Sequence, residues 1–247
     1  MDLRGFFKEN PKVALAFSGG VDSSYLLYAA LHYGADVRAY YVKAAFQPQF
    51  ETDDALRLVK ELGADMRILT VDVLSSEIVR SNPADRCYYC KQLIFSSIQK
   101  AAAEDGYTLL LDGTNASDDA GDRPGMRALK EMEVKSPLRL CGLTKTEIRR
   151  LSKEAGLFTW DKPAYACLAT RIPTGEEITA EKLMATEESE GFLMDLGFKD
   201  FRVRQESKKA KLQLKEEQLP LLLEHREEVL TELKKYYTSV TLDLEVR

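Results

Sequence analysis

From Lys12 to about Leu140 the chain alternates short β-rich runs with amphipathic helical runs, and few folds accept that order. "VALAF" (Val13–Phe17) reads as a buried strand, and "VDSSYLLYAALHYG" as a helix closed by Gly34. "DVRAYYVKA" is a second strand. "ETDDALRLVKELG" is a helix with acidic residues in its first turn and Gly63 at its end. "MRILTVDV" is a third strand, a helix follows from about Pro83 to Glu104 with its proline near the first turn, and "TLLLDGTN" is a fourth strand. This succession predicts an α/β fold built on a doubly wound parallel sheet.

Further on, "TKTEIRRLSKEAGL" reads as a helix opening on a capping box, Thr144 to Glu147. After "KPAYACLATRIPTG" the pattern changes. A long acidic helix is expected through Thr179–Leu196, then two short strands, "FRVRQ" and "AKLQLK", separated by a turn. A leucine-rich helix and a last strand, "VTLDLE", follow. Proline and glycine cluster at Ile172–Gly175, which sets an expected boundary between a domain of residues 1–172 and a smaller C-terminal α+β domain of residues 173–247. No internal repeat or low-complexity tract is visible.

The chain's 247 residues, 45% of them hydrophobic, can bury a core in one large domain or two modest ones. A net charge of −5 and a pI of about 5.3 give no basic footprint for a nucleic-acid partner. Four cysteines in a chain this size do not form a disulfide scaffold. Asp2, Arg4, Lys8 and Glu9 interrupt any apolar run at the start, and no stretch approaches the length of a bilayer span, so no membrane partner is expected. The expected location is cytoplasmic, where thiols stay reduced and can serve as ligands.

"FSGGVDSS" (Phe17–Ser24) sits where a strand hands over to a helix. Gly19 and Gly20 permit a tight turn and close approach to a ligand, and the free N–H groups of the helix start face an anion. Ser18, Ser23 and Ser24 add hydroxyl donors. Asp22 fits beside an anion only through a Mg²⁺ ion. A plain glycine-containing turn with an ordinary cap is the simpler reading of a lone Gly-Gly, and the whole string SGGVDS after an apolar strand argues against it. "LLLDGTNASDDAGDRPG" (Leu109–Gly125) is a strand ending in Gly113, Thr114 and Asn115, followed by a polar loop. Ligands of open parallel sheets sit beyond the carboxyl ends of the strands, so Asp118 and Asp119 are placed to approach a nucleotide or its metal. Asp119 and Asp122, taken singly, also fit a solvated acidic loop.

"DRCYYCKQ" holds Cys87 and Cys90, which suit half a zinc site, a redox pair, two iron–sulfur ligands or two small buried hydrophobes. No second pair follows, and His32 and His225 are poorly placed for zinc. A redox pair usually opens a helix directly after a strand, whereas Asn82–Arg86 intervene here. Residues three apart share a helix face and can grip one metal centre. A third thiol, Cys167, lies in "YACLATRIP", and Cys141 reads as an inert buried cysteine. In "FRVRQ", Arg202 and Arg204 share one strand face, which suits a carboxylate or phosphate but equally a solvated surface.

"SGGVDSS" resembles the PP-loop of the N-type ATP pyrophosphatases, which include NAD synthetases, the ATPase domain of GMP synthetase and tRNA thiolases. The Walker A pattern is missing, so the resemblance implies cleavage between the α- and β-phosphates and adenylation of the substrate. "RCYYCK", "DGTNASDD", "RPG", "SPL", "CLATRI", "GFLMDLGF" and "FRVR" extend the match over most of the chain. They are similar to the ATP-dependent sulfur transferases that build the nickel-pincer cofactor of lactate racemase, whose product is pyridinium-3,5-bisthiocarboxylic acid mononucleotide. The resemblance implies ATP, Mg²⁺ at Asp22 and catalytic roles for Asp22, Cys167, Arg171 and Glu190. It also implies binding of a small-molecule mononucleotide by Arg202 and Arg204.

In one branch of that family a single cysteine, at the place of Cys167, gives up its own sulfur. In the other, three cysteines hold a [4Fe–4S] cluster, and Cys87, Cys90 and Cys167 match that set, with sulfide or another sulfur donor as partner. The family pattern often continues into a Gly/Ser-rich tail that can add a phosphate contact. The sequence stops at Arg247, soon after "TLDLE", and that contact is expected to be missing or replaced. A homo-oligomer is expected. The rival functions are a tRNA thiolase, an ammonia-dependent amide synthetase, and a non-enzymatic nucleotide sensor that uses Cys87–Cys90 as a redox switch.

Overall fold

In the computed structural model, which describes residues 1–118 and 124–245, the run Lys12–Phe17 forms a strand, β1, with a neighbour on each side. A parallel strand enclosed in this way needs apolar side chains in succession, and Val13, Ala14 and Leu15 are fully buried. On one side β1 pairs in parallel with β2 (Asp36–Lys43), which pairs with β3 (Asp65–Thr70). On the other side it pairs with β4 (Leu110–Leu111), giving the order β3-β2-β1-β4. This is the α/β fold with a parallel sheet that the alternation implied.

The fourth strand is only two residues long because the chain leaves the ladder at Asp112. The Asp112 amide donates to the Lys135 carbonyl, and Leu111 bridges Lys135. The order also sets the ends of β1 and β4 side by side, so the two loops singled out in the sequence meet. A Cβ built at Gly113 would lie 2.9 Å from the Ser23 amide nitrogen, so only glycine permits the approach.

The helices of this part are α1 (Leu3–Glu9), α2 (Val21–His32) and α3 (Gln49–Leu62). After α4 (Glu77–Arg80) come α5 (Arg86–Glu104), α6 (Pro124–Glu131), α7 (Pro137–Leu140) and α8 (Lys145–Glu154). The capping box opens α8: the Glu147 amide donates to Thr144 Oγ1 at 3.3 Å, and the Thr144 amide donates to Glu147 Oε2 at 2.9 Å. Leu26 and Leu27 of α2 share a core with Ile148 of α8 and with Leu15, Val37 and Leu111 of the sheet.

The chain divides into two units, Met1–Val73 with Asp85–Ala164, and Leu74–Ala84 with Tyr165–Arg247. The Pro–Gly cluster at Ile172–Gly175 therefore lies inside the second unit. It is a turn held by a distant segment: Asn82 Nδ2 donates to the Ile172 and Pro173 carbonyls at 3.3 and 2.8 Å, and the Gly175 amide donates to the Asn82 carbonyl. The same segment shortens the helix expected from Pro83. Asn82 takes a left-handed φ of 55°, and α5 starts only at Arg86.

The second unit also contains α9 (Ala180–Asp195), opened by Thr179 as N-cap, and a sheet of β5 (Arg202–Glu206), β6 (Lys209–Gln213) and β7 (Ser239–Leu242). The first two strands form an antiparallel hairpin, and β6 pairs with β7 in parallel. The expected leucine-rich helix is two short ones, α10 (Leu219–Glu224) and α11 (Arg226–Leu233), parted at His225. Leu193, Phe198, Phe201, Val203, Leu212 and Leu233 form this unit's core.

Candidate active site

The turn between β1 and α2 has a shape that could take an anion. Gly19 takes a φ of 73°, and a Cβ there would press on Ala55 at 3.2 Å. Gly20 caps α2 without a side-chain hydrogen bond to the first amides of the helix. Two hydroxyls set the loop's shape. Ser18 and Ser23 Oγ lie 3.1 Å apart, and Ser23 Oγ donates to the Gly20 carbonyl at 3.2 Å. Ser24, expected to add a third donor, is fully buried with its hydroxyl unpaired and does not line the cavity.

Asp22 is held from across the fold. Lys145 Nζ at the start of α8 lies 2.6 Å from Asp22 Oδ2. Asp22 Oδ1 is buried without a hydrogen-bond partner. Burial pushes the Asp22 carboxyl above its ordinary range despite the Lys145 ammonium beside it. An orphaned carboxylate oxygen beside a phosphate cradle is the donor that Mg²⁺ takes, so the residues present fit that ion.

The loop after β4 is ordered by its own polar groups. Thr114 Oγ1 donates to Asp112 Oδ2, and Ser136 Oγ donates to Asp112 Oδ1 at 2.6 Å. The Asn115 amide donates to Asp118 Oδ2 at 2.8 Å, and the Asn115 side chain accepts from the Ser117 amide at 2.8 Å. Buried Asn115 therefore shapes the loop, while Thr114 and exposed Asp118 face the cavity. Asp119 and Asp122 lie outside the described residues.

A cavity of about 290 Å³ is lined by Ser18, Gly20, Asp22, Ser23, Asp112 and Thr114, with Lys91 in its wall. A second, of about 390 Å³, is lined by Cys87, Lys91, Thr114, Asp118, Gly125 and Met126. Burial pushes the Lys91 ammonium below its ordinary range. Cys87 is exposed in the first turn of α5, with Arg86 Nη2 at 3.7 Å from its sulfur, and Cys90 is half-buried one turn on. None of the four cysteines is in a disulfide. Cys141 is half-buried against the first unit's core, and burial raises its thiol pKa, away from thiolate reactivity.

In the second unit, Cys167 sits at the head of a short 3-10 turn, Leu168–Arg171. Arg171 is almost fully buried and grips Glu190 of α9 with two parallel bonds, Nε to Oε1 at 2.8 Å and Nη2 to Oε2 at 2.9 Å. Its Nη1 donates to the Ala166 carbonyl at 3.0 Å and to Thr170 Oγ1 at 2.9 Å. Thr170 Oγ1 donates to the Cys167 carbonyl at 2.8 Å. Glu190 also accepts from the Tyr165 hydroxyl and from the Val203 amide at 2.8 Å. Arg171 was expected to reach phosphates or substrate; here its donors hold the loop on both sides of Cys167.

Arg202 and Arg204 leave the same strand face, as the alternation implied. Arg202 is 5% exposed, with its guanidinium 5.5 Å from the Tyr165 ring centre. Arg204 donates to Gln213 Oε1 at 2.7 Å and to the Thr170 carbonyl at 2.6 Å. Both are drawn inward, unlike a solvated strand face.

No protein-family model matches the chain. An uncharacterized protein of Synechocystis is 36% identical over 99% of this chain and 92% of its own length. The pyridinium-3,5-bisthiocarboxylic acid mononucleotide synthase of Lactiplantibacillus plantarum is 34% identical over 96% of this chain and 87% of its own. The chain belongs to that synthase family. A tRNA-specific 2-thiouridylase, MnmA, of Thermotoga petrophila is more distant, 24% identical over 59% of this chain.

The chain of this synthase-family member has the SGGVDSS turn, the loop after β4, Cys87 and Cys90 in the first unit, and Cys167, Arg171, Arg202 and Arg204 in the second. Among the described residues no three His, Cys, Asp or Glu side chains gather into a metal-holding group. Lys91, Lys145, Asp112 and Tyr165 belong to these surroundings but escaped the sequence reading. Each lies inside a quoted stretch, Lys91 in "RCYYCK", Asp112 in "DGTNASDD", Lys145 in "TKTEIRRLSKEAGL" and Tyr165 in "YACLATRIP", yet none was singled out.

Proposed function

We propose that the chain is an ATP-dependent sulfur transferase that adenylates the carboxylates of pyridinium-3,5-biscarboxylic acid mononucleotide and converts them to thiocarboxylates. The observation that carries this reading is 34% identity to the L. plantarum synthase across nearly the whole of both chains. The phosphate cradle after β1, with its orphaned Asp22 oxygen, supports the use of ATP.

In the first half-reaction a substrate carboxylate oxygen bonds to the α-phosphorus of ATP as the bond to pyrophosphate breaks. Carboxylates are ionised at neutral pH, so this step needs no general base. That suits a chain with two histidines, of which His32 is stacked on Tyr28. The amides of Gly20 and the start of α2, with Ser18 and Ser23, hold phosphate oxygens. Mg²⁺ held by Asp22 would neutralise phosphate charge. In the second half-reaction sulfur bonds to the acyl carbon and AMP leaves. Arg202 and Arg204 hold the anionic mononucleotide, and Arg171 with Glu190 keeps the Cys167 loop in place.

Cys87, Cys90 and Cys167 are the thiols that would hold a [4Fe–4S] cluster, whose chemistry is to deliver sulfide. The donor chemistry suits such a cluster, and two of the thiols share one helical turn. A second sulfur source is Cys167 itself. There the Cys167 thiolate displaces AMP to give a thioester. Loss of the Cys167 α-proton then breaks its Cβ–S bond, leaving thiocarboxylate and dehydroalanine.

Cytoplasmic action suits these thiols, and among the described residues no helix is long and apolar enough to cross a membrane. The deciding experiment is pyrophosphate release from ATP by the purified protein with and without the mononucleotide. Release that depends on it, with a thiocarboxylate product, supports the reading. Release that depends on tRNA or ammonia instead overturns it.

A further inference from the structure

Lys91 stands in the wall common to the two cavities of the first unit, and Thr114 and Asp118 share that wall. Among the described residues lining the cavity beside the phosphate cradle, it carries the one positive charge, against Asp22, Asp112 and Asp118. Each of those carboxylates already has a partner. Asp22 is held by Lys145, Asp112 by Thr114 and Ser136, and Asp118 by the Asn115 amide. Lys91 has no hydrogen bond or ion pair with any described residue. Its stem lies under the start of α6, where a Cβ at Gly125 would meet Cδ and Cε at 3.2 Å.

A nucleotide triphosphate entering this cavity would meet three carboxylates. Helix amides and one metal offset part of that repulsion, and an uncommitted ammonium in the wall offsets more. We propose that Lys91 is a further phosphate-binding residue, whose ammonium takes oxygen atoms of the ATP polyphosphate and of the departing pyrophosphate. This rests on the ATP-dependent reading above. The rival account makes Lys91 a counter-ion that only steadies the acidic loop. A counter-ion would change all ligands alike, whereas a phosphate ligand changes only those that carry phosphate.

Calorimetry of the purified protein with MgATP, pyrophosphate and adenosine separates the two, using wild type, Lys91→Met and Lys91→Arg. The expected result is a loss of about ten- to hundredfold in MgATP and pyrophosphate affinity in Lys91→Met, as befits one charge-assisted contact. Adenosine binding should be unchanged, and Lys91→Arg should recover most of the loss. MgATP affinity within twofold of wild type in Lys91→Met overturns the assignment, as does an equal loss for adenosine. A wild-type protein that binds no MgATP overturns the ATP-dependent reading itself, and so fails differently.

Discussion

Arg171 and Glu190 face each other in a two-bonded fork at 2.8 and 2.9 Å, each about 1% exposed. Such a pair adds little net stability when whole but is costly to break, because the survivor is a buried lone charge. Arg171→Ala or Glu190→Ala should therefore destabilise the second unit by about 3–5 kcal/mol. The double variant should lose less than the sum of the two. Chemical denaturation measures both; simple additivity would mean that the two residues act separately.

Asp22→Ala should abolish pyrophosphate release while leaving the thermal midpoint near wild type. Lys145→Met should have a smaller effect, since it frees Asp22 Oδ2 from the 2.6 Å contact without removing the carboxylate. Pyrophosphate release that survives Asp22→Ala would remove the loop from the chemistry.

Arg204→Ala should weaken binding of the pyridinium mononucleotide far more than binding of ATP, by about 2–5 kcal/mol if the contact is desolvated. Arg202→Ala should do the same. Calorimetry with both ligands provides the comparison, and small equal losses would leave the two arginines a purely structural role on β5.

Anaerobic reconstitution should give about four irons per chain with broad absorption near ~400 nm if three thiols share one cluster. Alanine at Cys87, Cys90 or Cys167 should strip the iron, and alanine at Cys141 should not. If Cys167 instead donates its own sulfur, only Cys167 matters. Turnover then stops after about one sulfur, and intact mass falls by about 34 Da as H₂S equivalents leave the thiol.

Hydrogen bonds from the Thr144 side chain and backbone hold the Glu147 carboxyl below its ordinary range. A depressed folded-state pKa gives stability that is full above the unfolded value and is lost as pH falls through the folded one. Amide protection in the first turn of α8 should be level from neutral pH to about pH 5 and decline below it. Glu147→Gln should flatten that decline. A pH-independent profile in the wild type would show that the Glu147 charge does not hold the start of α8.

Much of this was readable because local rules dominate where the chain is regular. The phosphate loop is written in consecutive residues, and the capping box in four. The parallel sheet follows from apolar runs whose period its double burial demands. What escaped depends on partners far away in sequence. Nothing local to "CLATRI" says that Arg171 is turned inward, because Glu190 lies 19 residues on. Lys145 looks like an ordinary exposed helix start until Asp22, 123 positions away, accepts from it. The brevity of β4 is set by Lys135, and the late start of α5 by Asn82, whose partners lie about 90 residues further on.

The strip Leu74–Ala84 gives the chain a temporal order. Asn82 is synthesised 90 and 91 residues before the carbonyls of Ile172 and Pro173 that it binds. At roughly 5–20 residues per second, the strip waits on the order of 5–20 seconds for them to appear. During that interval it is tethered at both ends to a unit it does not belong to. The same interleaving makes the two units poor candidates for dissection by truncation. A fragment ending at Ala164 carries an orphan strip, and one beginning at Tyr165 lacks it. Expressing either half alone calls for grafting or excising eleven residues from the middle of the other.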